Sequence, residues 1–127
     1  SYIFMAKILI VDDEPDFRMI LSYVLGQAGH TIVEATDGEE ALKLIKGSPP
    51  DLFIIDWNMP RMNGPELCQA IRQDQELCTL PVVMLTVRGQ DIDHVEGLHA
   101  GADLYLIKPV DPIEIVSRIK SLLKKVN

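Results

Sequence analysis

A chain of 127 residues is long enough for one domain with a real core, and 47% hydrophobic against 24% charged residues is the balance of an ordinary globular protein. A net charge of −7 argues against nucleic-acid binding, because phosphate contacts need a basic patch. No apolar run approaches the ~20 residues of a membrane span, and the start Ser1-Tyr-Ile-Phe-Met5 has neither the basic region nor the cleavage pattern of a signal peptide. The expected address is therefore the cytoplasm. Met5 is the expected natural start, with residues 1–4 left over from expression and one domain spanning 5–127. Cys68 and Cys78 form no CxxC and have no nearby His cluster, so both read as small apolar side chains.

Lys7-Ile-Leu-Ile-Val11 reads as a buried strand that ends on Asp12-Asp13-Glu14. Pro15 opens a helix, a common first-turn position, with Phe17, Ile20, Leu21, Val24 and Leu25 at helical spacing up to Gly29. Thr31–Ala35 is a second strand. Asp37-Gly38 turns into a helix with Ala41, Leu42 and Ile45 on its apolar face, and Gly47-Ser-Pro-Pro50 breaks it. Leu52–Ile55 is an apolar run of the kind buried on both faces; it stops at Asp56, and turn formers Asn58, Pro60, Asn63 and Gly64 follow. A helix from Gly64 or Pro65 to about Arg72 buries Leu67, Cys68 and Ile71. Pro81–Leu85 is a fourth strand stopping at Thr86. A polar, acidic helix from about Gln90 to Ala100 ends near Gly101. Leu104–Ile107 is the fifth strand, followed by Lys108-Pro109. Asp111-Pro112 starts a last helix to about Lys125, with Ile115, Ile119, Leu122 and Leu123 inward.

Five alternations of strand and helix with short connections predict an α/β domain: a parallel sheet with helices on both faces. In such a sheet the carboxyl ends of the strands share one edge, where ligands bind. Asp12, Asp13, Asp56, Thr86 and Lys108 fall there. Two like charges ~4 Å apart repel by ~4 kcal/mol at an effective dielectric near 20, so three carboxylates together call for a cation. Oxygen donors without His or Cys suit a hard ion, Mg²⁺ best, and that ion favours phosphate oxygens as its remaining ligands. Lys108 adds a point charge for the same oxygens and Thr86 a donor. Asp56 is left as a candidate carboxylate nucleophile toward phosphorus. Singly, each residue has a plainer role: Asp12 and Asp13 as caps of the helix at Pro15, Thr86 as a strand end, Lys108 as solvated charge.

Val11-Asp-Asp-Glu-Pro15, Asp56-x-Asn-Met-Pro60 followed by Gly64, Leu85-Thr86 and Lys108-Pro109, in that order, resemble the motifs of response-regulator receiver domains, the phosphoacceptor half of two-component signalling. The resemblance runs from Lys7 to Lys125. It implies a doubly wound five-stranded sheet of flavodoxin-like order 2-1-3-4-5. It also implies that Asp56 takes a phosphoryl group from the phosphohistidine of a sensor histidine kinase or phosphotransfer protein, and that the domain signals to an output domain or effector. Asp13 and Asp56 would bind Mg²⁺ directly, Asn58 through its backbone carbonyl and Asp12 mainly through water. Thr86 and Lys108 would bind the phosphoryl oxygens, Pro109 would follow a cis peptide, and Tyr105 would be the switching aromatic that turns inward as Thr86 moves. Trp57 is expected to pack beside the site.

Val87 stands where the family usually has a small residue, and Arg88 and Asn58 stand where it varies the residues that set phosphoryl lifetime. From Met84 to Lys125 the chain most resembles receivers of winged-helix transcription regulators, which pair through the helix before the fifth strand, that strand, and the last helix. Asp103, Glu114 and Arg118 match charged positions of that pairing, whereas His94 and Glu96 replace its usual basic residues. A homodimer through Asp103 and Arg118 is the resulting expectation. Competing readings are an aspartate-nucleophile phosphatase, a nucleotide or flavin binder, and an inactive receiver-like interaction module. The first lacks an acid two residues after Asp56, and the second lacks a Gly-rich turn after the first strand. The third is disfavoured because every key position is present.

Overall fold

The computed structural model describes residues 5–87 and 101–125. In chain order these form β1 (Lys7–Val11), α1 (Pro15–Gln27), β2 (Thr31–Ala35), α2 (Gly38–Leu44), β3 (Leu52–Asp56), α3 (Gly64–Gln73), β4 (Val82–Val87), β5 (Leu104–Lys108) and α4 (Pro112–Lys125). All strand pairs are parallel, in the order β2-β1-β3-β4-β5. The acidic helix expected at 90–100 lies outside the described residues, as do Arg88, His94 and Glu96 and the expectation for residues 1–4. No helix among the described residues is long and apolar enough to cross a membrane.

The central strands are continuously apolar because both faces of the sheet are covered. Successive side chains point to opposite faces, and two cores result. Leu9, Val11, Phe53, Ile55, Trp57, Val82 and Met84 pack with Leu67, Cys68 and Ile71 of α3 and Ala41 of α2. Ile8, Ile10, Leu52, Ile54, Val83, Leu85 and Leu106 pack with Leu21 and Leu25 of α1 and Ile115, Ile119 and Leu123 of α4. Fully burying one such side chain contributes about 1.5–3 kcal/mol. The same alternation puts Asp56 and Lys108 on the α1/α4 face, and Thr86 and Tyr105 on the α2/α3 face.

Three boundaries move outward from the expected ones. Asp56, Thr86 and Lys108 are strand residues, not residues after strands: Asp56 pairs with Leu85, Thr86 with Ile107 and Val87 with Lys108. Each keeps a ladder partner on the neighbouring strand, and that pairing rather than side-chain polarity sets where the strand ends. Ile20, expected on the inner stripe of α1, is 48% exposed, because Leu21 and Leu25, with Phe17 beside them, form the face of that helix that meets the core.

Two polar anchors hold the opposite edge of the sheet. The Ala6 N–H donates to Nδ1 of His30 at 3.0 Å, and burial holds that imidazole below its ordinary pKa. Arg72 donates to the carbonyls of Gly101 (2.8 Å), Cys78 (3.1 Å) and Leu80 (2.7 Å) and pairs with Asp103 at 2.9 Å. Asp103 also accepts from the Val82 N–H at 2.7 Å. Neither cysteine is in a disulfide; Cys68 is buried, which pushes its thiol up to about 11.

Candidate functional site

The carboxyl edge of the sheet gathers the residues that the sequence singled out. One carboxylate oxygen each from Asp12, Asp13 and Asp56 lies within 4.8 Å of the others. Asp12 and Asp56 are buried and Asp13 is exposed, so the cluster opens to solvent on one side. Lys108 reaches in from β5 and forks between two of the acids, with Nζ 3.1 Å from Asp56 Oδ1 and 3.2 Å from Asp12 Oδ2. The same ammonium sits 4.6 Å from the centre of the Phe17 ring, an attraction worth ~0.5–2 kcal/mol in general.

Burial is the main force on Asp56, and repulsion from Asp12 adds to it. Together with a smaller push from Asp13 they outweigh the attraction of Lys108 and raise the carboxyl to about 6. Burial works against the charge on Lys108, yet Asp56 and Asp12 overcome it and hold the ammonium above its ordinary pKa. At neutral pH the site is therefore an ionised carboxylate beside an ionised amine in a partly water-excluded pocket. An anionic oxygen poised this way can act as a nucleophile toward an electrophilic centre whose own charge is offset nearby.

Local chemistry fixes this arrangement. Asp12 does not cap α1: Glu14 is the cap residue, without a side-chain cap bond, and Asp12 Oδ1 instead accepts from the Glu14 N–H at 2.8 Å. The other Asp12 oxygen is thus left toward Lys108. After Asp56 the chain turns sharply. Gly64 N–H donates to Trp57 O at 2.9 Å, and a β-carbon on Gly64 would lie 2.5 Å from the Asp56 carbonyl oxygen. Only glycine lets α3 start this close to the acid. Asn63 and Glu66 form a reciprocal capping box at that start.

Asn58 is exposed two residues beyond Asp56, and Trp57 is buried in the α2/α3 core beside the site. Thr86 is buried at the end of β4. Tyr105 is half-buried against the α2/α3 core, its hydroxyl accepts from the Ala102 N–H at 3.3 Å, and burial raises its pKa. The Lys108–Pro109 peptide is cis. Asp103 is already committed within the chain to Arg72; Glu114 and Arg118 lie exposed on α4. Sequence pattern leaves the partners of three residues unassigned. Phe17 was placed only in a helix stripe. Asp37 and Arg61 form a buried-to-surface ion pair across 24 positions, for which no local spacing exists.

The family model for the response regulator receiver domain matches residues 8–120. The chain is 44% identical to the probable transcriptional regulator ycf27 of Guillardia theta, over 95% of this chain and 46% of that protein. It is 40% identical to the alkaline phosphatase synthesis transcriptional regulatory protein PhoP of Bacillus subtilis, over 94% of this chain and 49% of that one. The chain thus spans about half the length of these curated relatives. Among solved structures, a signal receiver domain of a signal transduction histidine kinase from Syntrophus aciditrophicus superposes with a TM-score of 0.91 at 34% identity, covering 96% of this chain and 92% of that one. The chemotaxis response regulator CheY4 of Vibrio cholerae superposes at 0.87 and 35% identity, covering 94% and 99%. A match that runs from the first strand into the last helix, with curated relatives at 40–44% identity and solved receiver structures at 34–35% on the same sheet, leaves one assignment: the chain belongs to the response regulator receiver domain family.

Proposed function

We propose that this domain accepts a phosphoryl group on Asp56 from the phosphohistidine of a sensor histidine kinase or a phosphotransfer protein, and reports it by a change of surface. The observation that carries this reading is the junction of three carboxylates within 4.8 Å with a lysine forked between two of them. An oxygen of Asp56 attacks phosphorus, the bond from phosphorus to the imidazole nitrogen breaks, and the electron pair stays on the imidazole. Oxygen donors alone, this close together, fit a hard divalent ion such as Mg²⁺. Asp12, Asp13, Asp56 and the Asn58 carbonyl would hold it, Asp12 mainly through water. When bound, the ion supplies positive charge for the phosphoryl oxygens. Lys108 gives those oxygens an ammonium and Thr86 a hydroxyl.

A phosphoryl group brings a charge of about −1.5 to −2 and strong acceptor oxygens. Thr86 follows it, and Tyr105, on the same face of the sheet, takes up the space vacated, so a local charge becomes a packing change. An output domain, an effector or a second copy reads the altered face; a copy pairing through Asp103 and Arg118 would share Asp103 with Arg72. The setting is the cytoplasm, where the kinase's phosphohistidine is made. Intact-mass analysis after incubation with acetyl phosphate tests the assignment. One phosphoryl adduct is expected with MgCl₂ and none with chelator or in Asp56→Asn; an adduct that persists in Asp56→Asn refutes it.

A further inference from the structure

The segment between Asp56 and Gly64 is closed where it meets Gly64 and clamped once more within, at Arg61. Gly64 seats its end directly on the Asp56 carbonyl, as described above. The other clamp is Arg61, with φ +66°, a left-handed conformation that residues with a β-carbon rarely adopt. Its guanidinium donates from Nε to Asp37 Oδ2 at 2.8 Å and from Nη2 to the same oxygen. Asp37 is itself fixed: only 3% of it is exposed, and Oδ1 accepts from the Glu40 N–H at 2.9 Å as the cap of α2. The next residue fits as closely, since a β-carbon on Gly38 would lie 2.7 Å from Met62 Cγ. A disfavoured backbone therefore persists because the start of α2 holds the Arg61 side chain and packs against that of Met62. Asn58, Met59 and Pro60 lie between Trp57, whose carbonyl accepts the Gly64 N–H, and Arg61.

We propose that Arg61 is a positioning residue for the divalent cation of the phosphoacceptor site: held on the Asp37 cap of α2, it fixes the Asn58–Pro60 segment that follows Asp56. This rests on the phosphoacceptor reading, in which the Asn58 carbonyl joins the three acids as a ligand. Arg61 touches neither cation nor phosphate in this scheme. It acts by keeping the Asn58 backbone where the acids are, which spares the cation the work of ordering that loop.

Isothermal titration calorimetry with MgCl₂, joined to thermal melts without the ion, separates positioning from bulk stability. Arg61→Ala should weaken Mg²⁺ binding about tenfold. Arg61→Gly loses the ion pair but takes φ +66° without strain, so it should melt above Arg61→Ala and still bind the ion about tenfold more weakly than the unsubstituted chain. Arg61→Lys can place one ammonium on Asp37 Oδ2 and should recover part of the affinity. Asp37→Asn keeps a capping oxygen for Glu40 and should match Arg61→Ala, and the double variant should be no weaker than either single one. Affinity equal to the unsubstituted chain in Arg61→Gly overturns the positioning role while the phosphoacceptor assignment stands. A chain that takes up no Mg²⁺ with Arg61 and Asp37 intact overturns both.

Discussion

Asparagine at position 56 keeps the shape of the acid and removes its charge, so Asp56→Asn measures what that charge does to the fold. The carboxyl titrates near 3.8 in an open chain and at about 6 in the structure. Below about pH 4 both states hold the proton and the side chain adds no strain. Between about pH 4 and 6 the folded state holds a proton that the unfolded chain has released, and stability falls as pH rises. Above about pH 6 the loss is complete. At about 1.4 kcal/mol per pH unit it reaches ~3 kcal/mol, or ~2 kcal/mol after a discount for partial screening at the open side of the cluster. Asp56→Asn is free of this loss. Its advantage should grow from near zero at pH 4 to ~2–3 kcal/mol at pH 7, roughly 6–12 °C in Tm for a chain of this size. Urea melts of both proteins at several pH values, in chelator, read the difference directly. MgCl₂ should then narrow the gap at pH 7, since the ion stabilises the state that binds it. A difference that does not change with pH, or a wild type more stable at pH 7, would refute the claim that burial and Asp12 dominate Lys108 at this carboxylate.

Gly64→Ala should destabilise by ~1–3 kcal/mol and abolish the Mg²⁺ response, because the new β-carbon meets the Asp56 carbonyl oxygen and Trp57 Cα, backbone atoms that cannot yield; calorimetry and a melt check both. Arg72→Ala should cost about 2 kcal/mol in a urea melt, since three carbonyls and Asp103 lose a shared donor, and Arg72→Lys should restore little because one ammonium cannot cover that fork. His30 should titrate below 6.5 by NMR; its contribution is present above about pH 6.5 and is lost as pH falls, a slope opposite to that of Asp56 and best measured in Asp56→Asn.

The central strands were legible because their apolar runs are uninterrupted, and the residues ending them marked the carboxyl edge. The edge chemistry was legible for the same reason: Asp12, Asp56, Thr86 and Lys108 each follow an apolar run directly. What sequence pattern could not supply was the partner of each charge. Lys108 read as a free cation for phosphate, whereas the fold seats it between Asp12 and Asp56. Asp37 read as a turn former and Arg61 drew no notice, because their pairing depends on how α2 leans on the loop after β3. Ile20 shows the same limit within one helix, where spacing alone cannot tell the stripe that is covered from its margin.

The two-residue alternation along β5 has a consequence for how this sequence can vary in length. Lys108 stands on one face with Asp56, and Tyr105 on the other with Thr86, three positions apart on a five-residue strand. One residue inserted between them would turn Lys108 to the wrong side, and with it the ammonium that sits 3.1 Å from Asp56. The same insertion before Leu104 or after Lys108 leaves both side chains where they are. Insertions and deletions are thus admissible in the connections that flank β5 and inadmissible inside it, so a short stretch of ordinary composition carries a strict length constraint near the site.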